Sequence, residues 1–523
     1  MEQYSDSSTV GAYGLLQKRV DLKDATYTLT ETEQQRKDMA ERMDREDMMY
    51  TGRVVVEKDT KLLDVPESIA EYYGDGFVVA ESPPEVEFAV VPYEYRFFAD
   101  PPEGNAVGPW SNWAQANYFA PTNTFYSCAG DHGVYNAHLH IVEYNVAEKK
   151  IVCHPEINKV LGRTEDQFGD GKIHGYLDFY QPPYLSRPHL FYCTYWCKYP
   201  EPTEKDWATG YDGGYIMSFD MTNGDIVNYG VPMPRASWPY HRVDTKRGIM
   251  YAVGMFGEFL AWDINTQKSK WSGYLPDGMA WYNRAILIDE DTGMVYSNNA
   301  YWNQPYKEQI APRKNTDSRH HVIKYDPDQN RFFELDCHMP PNSRTGTYDR
   351  MRCNTRHRGP DGLFWGITYS GELYSFDPEK EKVEGHGLIW PGYDLYSCTI
   401  DRSPGGRYLY YTIGAHSRAY LYGSPVIQYD TKTGNRKVLA FLFKHFYEKY
   451  GYIPGGSYAF KLDDKGEKLF MMWNGDFTDA EALKANEGWD PKNTSTYGMP
   501  SKRDAFGHCA VFVLTIPESE RLE

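Results

Sequence analysis

From about residue 81 onward, short runs of Val, Ile, Leu, Tyr, Phe and Trp alternate with clusters of Asp, Asn, Gly and Pro. IMYAVGM, LFWGITY, YLYYTIG and LFMMWNG are examples of such runs. Apolar runs of this length between turn-forming clusters predict β-strands. The strands recur as a unit. Six times an aromatic residue is followed by Asp or Asn and a turn: EYN at Tyr144, SFD at Phe219, AWD at Trp262, KYD at Tyr325, SFD at Phe376 and QYD at Tyr429. A seventh, degenerate copy is VFVLTIPES, with Leu514 and Thr515 in the aromatic and acidic places. Seven copies of one β unit predict an all-β fold, a seven-bladed β-propeller over residues 81–523.

The innermost strand of each blade is predicted within ANYFAPTNTFYS, KIHGYLDFY, YHRVDTKRG, YNRAILIDED, MRCNTRHRG, YSCTIDRSPG and SYAFKLDDKG. Residues 1–80 differ. TETEQQRKDMAERMDREDMM opens on a capping-box pattern at Thr30 and carries Met39 and Met43 one turn apart, which predicts an N-terminal helical arm. That arm lies on the domain surface or makes a homo-oligomer contact. FVVAES or EVEFAVVPYEYRFF is expected to pair with HCAVFVLTI and close the ring, because closure removes exposed sheet edges.

The long insertions fall between the second and third strands of the blades, near 195–213, 300–320, 414–424 and 474–507. The opposite hairpins stay short. Long loops at one end of a rigid scaffold are where binding and catalysis concentrate. The start of each inner strand faces the same end.

Charge sharpens this picture. The 523 residues carry a net charge of -18 at pH 7, which argues against nucleic-acid or anionic-membrane partners. No apolar stretch is long enough for a membrane span, and the N-terminus lacks a signal-peptide pattern, so a cytoplasmic protein is expected unless a signal peptide has been removed. Eight scattered cysteines do not suggest a disulfide scaffold. Walker, GxSxG, HExxH and dinucleotide motifs are absent, and no nucleotide cofactor is expected.

Against this acidic background the inner-strand starts supply Lys172, His174, Tyr240, His241, Arg242, Tyr282, Arg284, Arg350, Arg352, Tyr396 and Tyr458. Converging guanidiniums suit a carboxylate or sulfate, so Lys172, Arg284, Arg352 and Tyr396 are the candidates for binding a small anionic substrate. Strand alternation also allows part of this set to point into blade packing. His132, His241 and His416 are candidate ligands for a divalent metal ion, Mn, Ca or Zn, with ordinary hydrogen-bonded roles as the alternative. Cys337, His338, Cys353 and His357 form a second candidate, a closed zinc site between blades four and five.

This repeat, with Tyr, His and Arg gathered at a channel mouth, resembles the propeller polysaccharide lyases that act on uronate-containing oligosaccharides. The resemblance covers residues 83–517 at the level of architecture and residue type. It implies elimination next to a carboxylate, with His174 as base, Tyr240 or Tyr282 as proton donor to the leaving oxygen, and Arg284, Arg352 or a metal stabilising the enolate. Trp196, Trp207, Trp302 and Trp489 would flank sugar rings or pack beneath loops. A metal-dependent hydrolase or oxidoreductase, and a propeller that only binds other proteins, remain alternatives.

Overall fold

The computed structural model describes residue 40 and residues 44–45, 47–74, 76–92, 111–135, 137–196, 201–276, 279, 281, 284–300, 319–392, 395–415, 418–477, 505 and 507–522. Its strands form seven sheets, five of four strands and two of five, and in each of them four antiparallel strands run in order from the centre of a ring to its rim. The protein is a seven-bladed β-propeller. The inner strands of blades one to seven are Asn117–Phe119, Asp178–Tyr180, Tyr240–Asp244, Leu287–Ile288, Met351–Asn354, Asp401–Arg402 and Tyr452–Leu462. The first six lie within their predicted segments, and the seventh, predicted from Ser457, begins earlier at Tyr452.

The recurrent aromatic-Asp pair now has a physical cause. Tyr144, Phe219, Trp262, Tyr325, Phe376 and Tyr429 end the third strands and are buried between blades. The acid that follows caps the next turn through its side chain. Asp263 accepts from the Asn265 backbone N–H at 2.9 Å, Asp326 from Asp328 at 2.9 Å and Asp377 from Glu379 at 3.0 Å. Such self-capping is what favours Asp and Asn in tight turns. In the seventh copy Leu514 is buried in the aromatic place, and the Thr515 hydroxyl accepts from Lys468 at 3.0 Å.

Seven apolar clusters occupy the seven spaces between neighbouring blades. The middle strands, such as Ile249–Val253 and Phe364–Thr368, are therefore buried along their whole length, which explains their unbroken apolar runs. Rim strands such as Lys268–Tyr274 face water and are polar.

Blade seven is built from both ends of the described chain. Glu85–Val90 forms its fourth strand, paired with Ala510–Thr515 in a register that sets Phe88 opposite Phe512. This is the expected closure, made by EVEFAV. Val55–Glu57 adds a strand beyond it, and Val78–Val79 adds a parallel strand to the rim of blade six. A helical stretch ends at Thr51 with Met48 and Met49 buried, while Met39 and Met43 lie outside the described residues. The seven described cysteines are free thiols, and no described helix is long and apolar enough to cross a membrane.

Candidate functional site

The segments that lead into the inner strands place alternate side chains along the channel in two layers. The lower layer is a plug. Tyr176 donates its hydroxyl to the carbonyl of Asn354 at 2.9 Å, and Gln115 donates its amide to the carbonyl of Cys398 at 2.7 Å. These contacts link blade two to blade five and blade one to blade six, none of which are neighbours, so they cross the channel. Asp178 completes the plug by pairing with Arg242 at 3.3 Å and with Arg356. Burial would raise the Asp178 carboxyl, but the fields of Arg356 and Arg242 outweigh it and hold it at about 2.

The upper layer lies at the end where second strands such as Phe364–Thr368 stop. Trp113, Tyr369, Tyr396, Cys398, Ala415 and Tyr458 form a buried group drawn from blades one, five, six and seven. Lys172 places its ammonium 3.9 Å from the centre of the Trp113 ring, and His132 stacks on the same ring at 4.9 Å. Arg352 lies within 5.5 Å of the ring centres of Tyr369, Tyr396 and Tyr458. Its guanidinium donates to the Tyr396 hydroxyl at 2.7 Å and to the Cys398 sulfur at 2.5 Å. Arg352 is 1% exposed, and among the described residues it forms no ion pair with a carboxylate. Phenols, a thiol and ring faces hold its charge instead.

His174 sits beside this group, 6.0 Å from Trp113, 5.6 Å from Tyr195 and 6.3 Å from Tyr458 between ring centres. Nδ1 lies 3.1 Å from the carbonyl of Pro239, which can only accept, so Nδ1 carries the proton. Nε2 is then an unprotonated nitrogen, buried without a hydrogen-bond partner. Burial, then the charges of Arg284, Lys172 and Arg352, hold the imidazole well below its ordinary range and keep it neutral.

No family model matches the chain, and no curated protein matches it. The chemistry of the site rests on its own residues.

Five of the candidates meet at this mouth: Lys172, His174, Arg284, Arg352 and Tyr396. The field of Arg284 reaches His174, Tyr369 and Cys398 together. Tyr240 is elsewhere. It packs against Tyr176 in the apolar cluster between blades three and four, where burial raises its phenol well above the usual range. The ring of His241 is inside the packing between blades two and three, where Nε2 accepts from the Cys193 backbone N–H at 3.3 Å. Gly175 makes that approach possible, since a Cβ there would lie 2.6 Å from His241 Nδ1. Tyr282, His416, Trp302 and Trp489 lie outside the described residues. Trp196 is buried against Trp207 and Tyr211.

Among the described residues no three His, Cys, Asp or Glu side chains gather as ligands for a metal ion. The four residues of the candidate zinc site are thus not assembled as one. Cys353 is buried with its thiol pushed far up and directed at the Ser397 carbonyl, His338 bonds the Met339 carbonyl, and His357 pairs with Glu290.

Trp113, Tyr369 and Cys398 are members of the site that the inner-strand starts did not single out. Each had a signal in the pattern. Trp113 is two residues before Gln115 in the approach to blade one, and Cys398 follows Tyr396 by the two-residue period of a strand. Tyr369 directly follows the second strand of blade five, Phe364–Thr368, where the long loops of other blades begin.

Proposed function

We propose that the protein is a lyase that acts on a small anionic, uronate-like substrate by proton abstraction and elimination at the channel mouth. The observation that carries this reading is His174. Its Nδ1–H is committed to Pro239, and its bare Nε2 is buried among cations with no carboxylate beside Arg352. A neutral base among concentrated positive charge suits removal of a proton alpha to a carboxylate, because the charge that develops as the C–H bond breaks is the charge the guanidiniums stabilise.

In this scheme Arg352 and Arg284 hold the carboxylate, and Lys172 adds positive charge from blade two. Nε2 of His174 takes the proton, the electrons form the new C=C bond, and the C–O bond to the neighbouring sugar breaks. The departing oxygen takes a proton from a phenol of the mouth. Tyr396 suits this role, since its oxygen is fixed by Arg352 and its own proton remains to be given.

The test is incubation with oligomers of galacturonate, glucuronate and mannuronate, followed for an unsaturated, ultraviolet-absorbing product. Such a product is expected from at least one of them. Cleavage without unsaturation assigns a hydrolase, and binding without cleavage assigns a binding propeller. Parallel reactions with a chelator and with metal added back separate the metal-dependent alternatives.

A further inference from the structure

His174 and Arg352 are carried by blades that are not neighbours in the ring. His174 leads into the inner strand of blade two, and Arg352 lies on that of blade five, Met351–Asn354. Each blade of a propeller packs on the next, so the spacing of these two side chains would otherwise gather the slack of the three interfaces between them. Two hydrogen bonds cross the channel and remove that slack.

The first begins two residues from His174. The Tyr176 hydroxyl donates to the Asn354 carbonyl at 2.9 Å, and Asn354 is two residues from Arg352 on the same strand. The second runs through Gln115. Its backbone N–H donates at 3.1 Å to the carbonyl of Gly175, directly after His174, and its side-chain amide donates to the carbonyl of Cys398 at 2.7 Å. The sulfur of Cys398 accepts from Arg352 at 2.5 Å. His174 and Arg352 are thus joined twice, once through Tyr176 and Asn354 and once through Gly175, Gln115 and Cys398.

The surroundings give these bonds little freedom. Gln115 and Tyr176 are buried, and both acceptors are backbone carbonyls. The guanidiniums of Arg242 and Arg356 lie 4.3 and 4.9 Å from the centre of the Tyr176 ring. Between His174 and Tyr176 the backbone presses against blade three, since a Cβ on Gly175 would lie 2.6 Å from the His241 nitrogen. Beside Cys398, the Thr399 hydroxyl is bonded to that of Thr412 at 2.9 Å, which fixes the segment to the second strand of blade six, Tyr408–Thr412. Both cross-channel bonds are neutral. The charges of the plug are matched by Asp178 with Arg242 and Arg356, so what Tyr176 and Gln115 add is geometry.

We infer that Tyr176 and Gln115 are positioning residues, which hold the base His174 and the carboxylate-binding Arg352 at a fixed separation across the channel. This rests on the elimination reading above. In that reaction the abstracted proton and the carboxylate sit on the same carbon, so base and guanidinium must meet groups that are themselves at a fixed distance. A uronate can still bind Arg352 when the spacing loosens, but its C–H bond is no longer presented to Nε2. A misplacement of about 1 Å is enough to cost on the order of 100-fold in rate.

Tyr176→Phe and Gln115→Met each remove one hydrogen bond and keep most of the packing volume. With the oligouronide that the wild type converts, each should lower kcat by about tenfold and the pair together by about 100-fold. Affinity for galacturonate should stay within about twofold, and the pH profile should keep its shape. On a His174→Ala background neither substitution should lower turnover further, because the spacing matters only while the base is present. An unchanged kcat in the double variant overturns the inference. So does a loss that persists in His174→Ala or follows the unfolded fraction at the assay temperature, since the bonds would then serve the fold alone. If the wild type yields no unsaturated product, the elimination reading is what fails, and the brace is judged from crystal structures of the wild type and the double variant. A separation between His174 and Arg352 that differs by less than about 0.5 Å overturns the brace, and a larger difference upholds it for whatever chemistry the mouth performs.

Discussion

The Nδ1–H of His174 donates to the carbonyl of Pro239 at 3.1 Å, and this one bond decides which nitrogen of the ring carries the proton. Pro239 leads into the inner strand of blade three, whereas His174 leads into that of blade two. The bond between adjacent blades therefore leaves Nε2 as the unprotonated nitrogen, in the field of Arg284, Lys172 and Arg352.

His174→Ala is expected to lower turnover by roughly 100-fold or more while uronate binding changes little, the pattern of a group used only in proton transfer. Because surrounding charge and burial hold the imidazole well below its ordinary range, the acid limb of the wild-type pH profile should lie below that range. A profile that falls off at the ordinary histidine pH, or a variant that turns over normally, would remove the residue from this role.

Acid should also act on the fold through the buried histidines. His241 is held at about 4 by burial, so between roughly pH 4 and the unfolded value near 6.5 the unfolded chain binds a proton that the folded chain does not. Its contribution is complete above that window and is lost as pH falls through it, by about 1.4 kcal/mol per pH unit at most. Glu258, lifted to about 7, works in the opposite direction over part of the same range, so the slope of the wild type alone is not diagnostic. The check is a difference: denaturation of His241→Gln between pH 7 and pH 5 should show a slope smaller by about one proton.

Asp178→Asn should be far more damaging than its size suggests. The substitution leaves Arg242 and Arg356 buried at the channel centre without their carboxylate, and breaking such a pair costs on the order of 3–5 kcal/mol. A large fall in the unfolding midpoint is expected. Asp178→Asn with wild-type stability would show that the plug does not bind the inner strands together.

The blades were legible because their repeat is local. A buried aromatic at the end of the third strand and a self-capping acid one residue later leave the same mark wherever a blade turns, as at Trp262 and Asp263. The closure was legible for a different reason, since Ala510–Thr515 is the third strand of its blade and the strand-like segment Glu85–Val90, ahead of blade one, can supply the fourth. The site was only partly legible because its side chains come from six separate blades. Lys172, His174, Arg284, Arg352 and Tyr396 follow from reading the start of each inner strand. Tyr240 and His241 show the limit of that rule: successive side chains leave a strand on opposite sides, and these two enter the packing towards blade four and blade two. Tyr369 comes from the far end of a second strand, outside any rule that reads only the starts of the inner strands.

Arg352 offers the sharpest separation of charge from geometry at this mouth. Its Nε and Nη2 donors are spent on Tyr396 and Cys398, which orient the plane of the guanidinium against three aromatic rings. Lysine would keep the positive charge but has neither the planar fork nor the ability to bond both partners at once. Arg352→Lys should therefore keep measurable uronate binding, weakened about tenfold, and lose more in kcat/KM than in affinity. The reason is that carboxylate charge grows as the proton leaves, and orientation matters most at that point. Arg352→Met removes the charge and should abolish binding while filling much of the same volume. Binding of galacturonate and turnover of oligouronides, measured on both variants, give the comparison. If Arg352→Met binds uronate as the wild type does, the carboxylate is held elsewhere and the polarity of the proposed site is wrong.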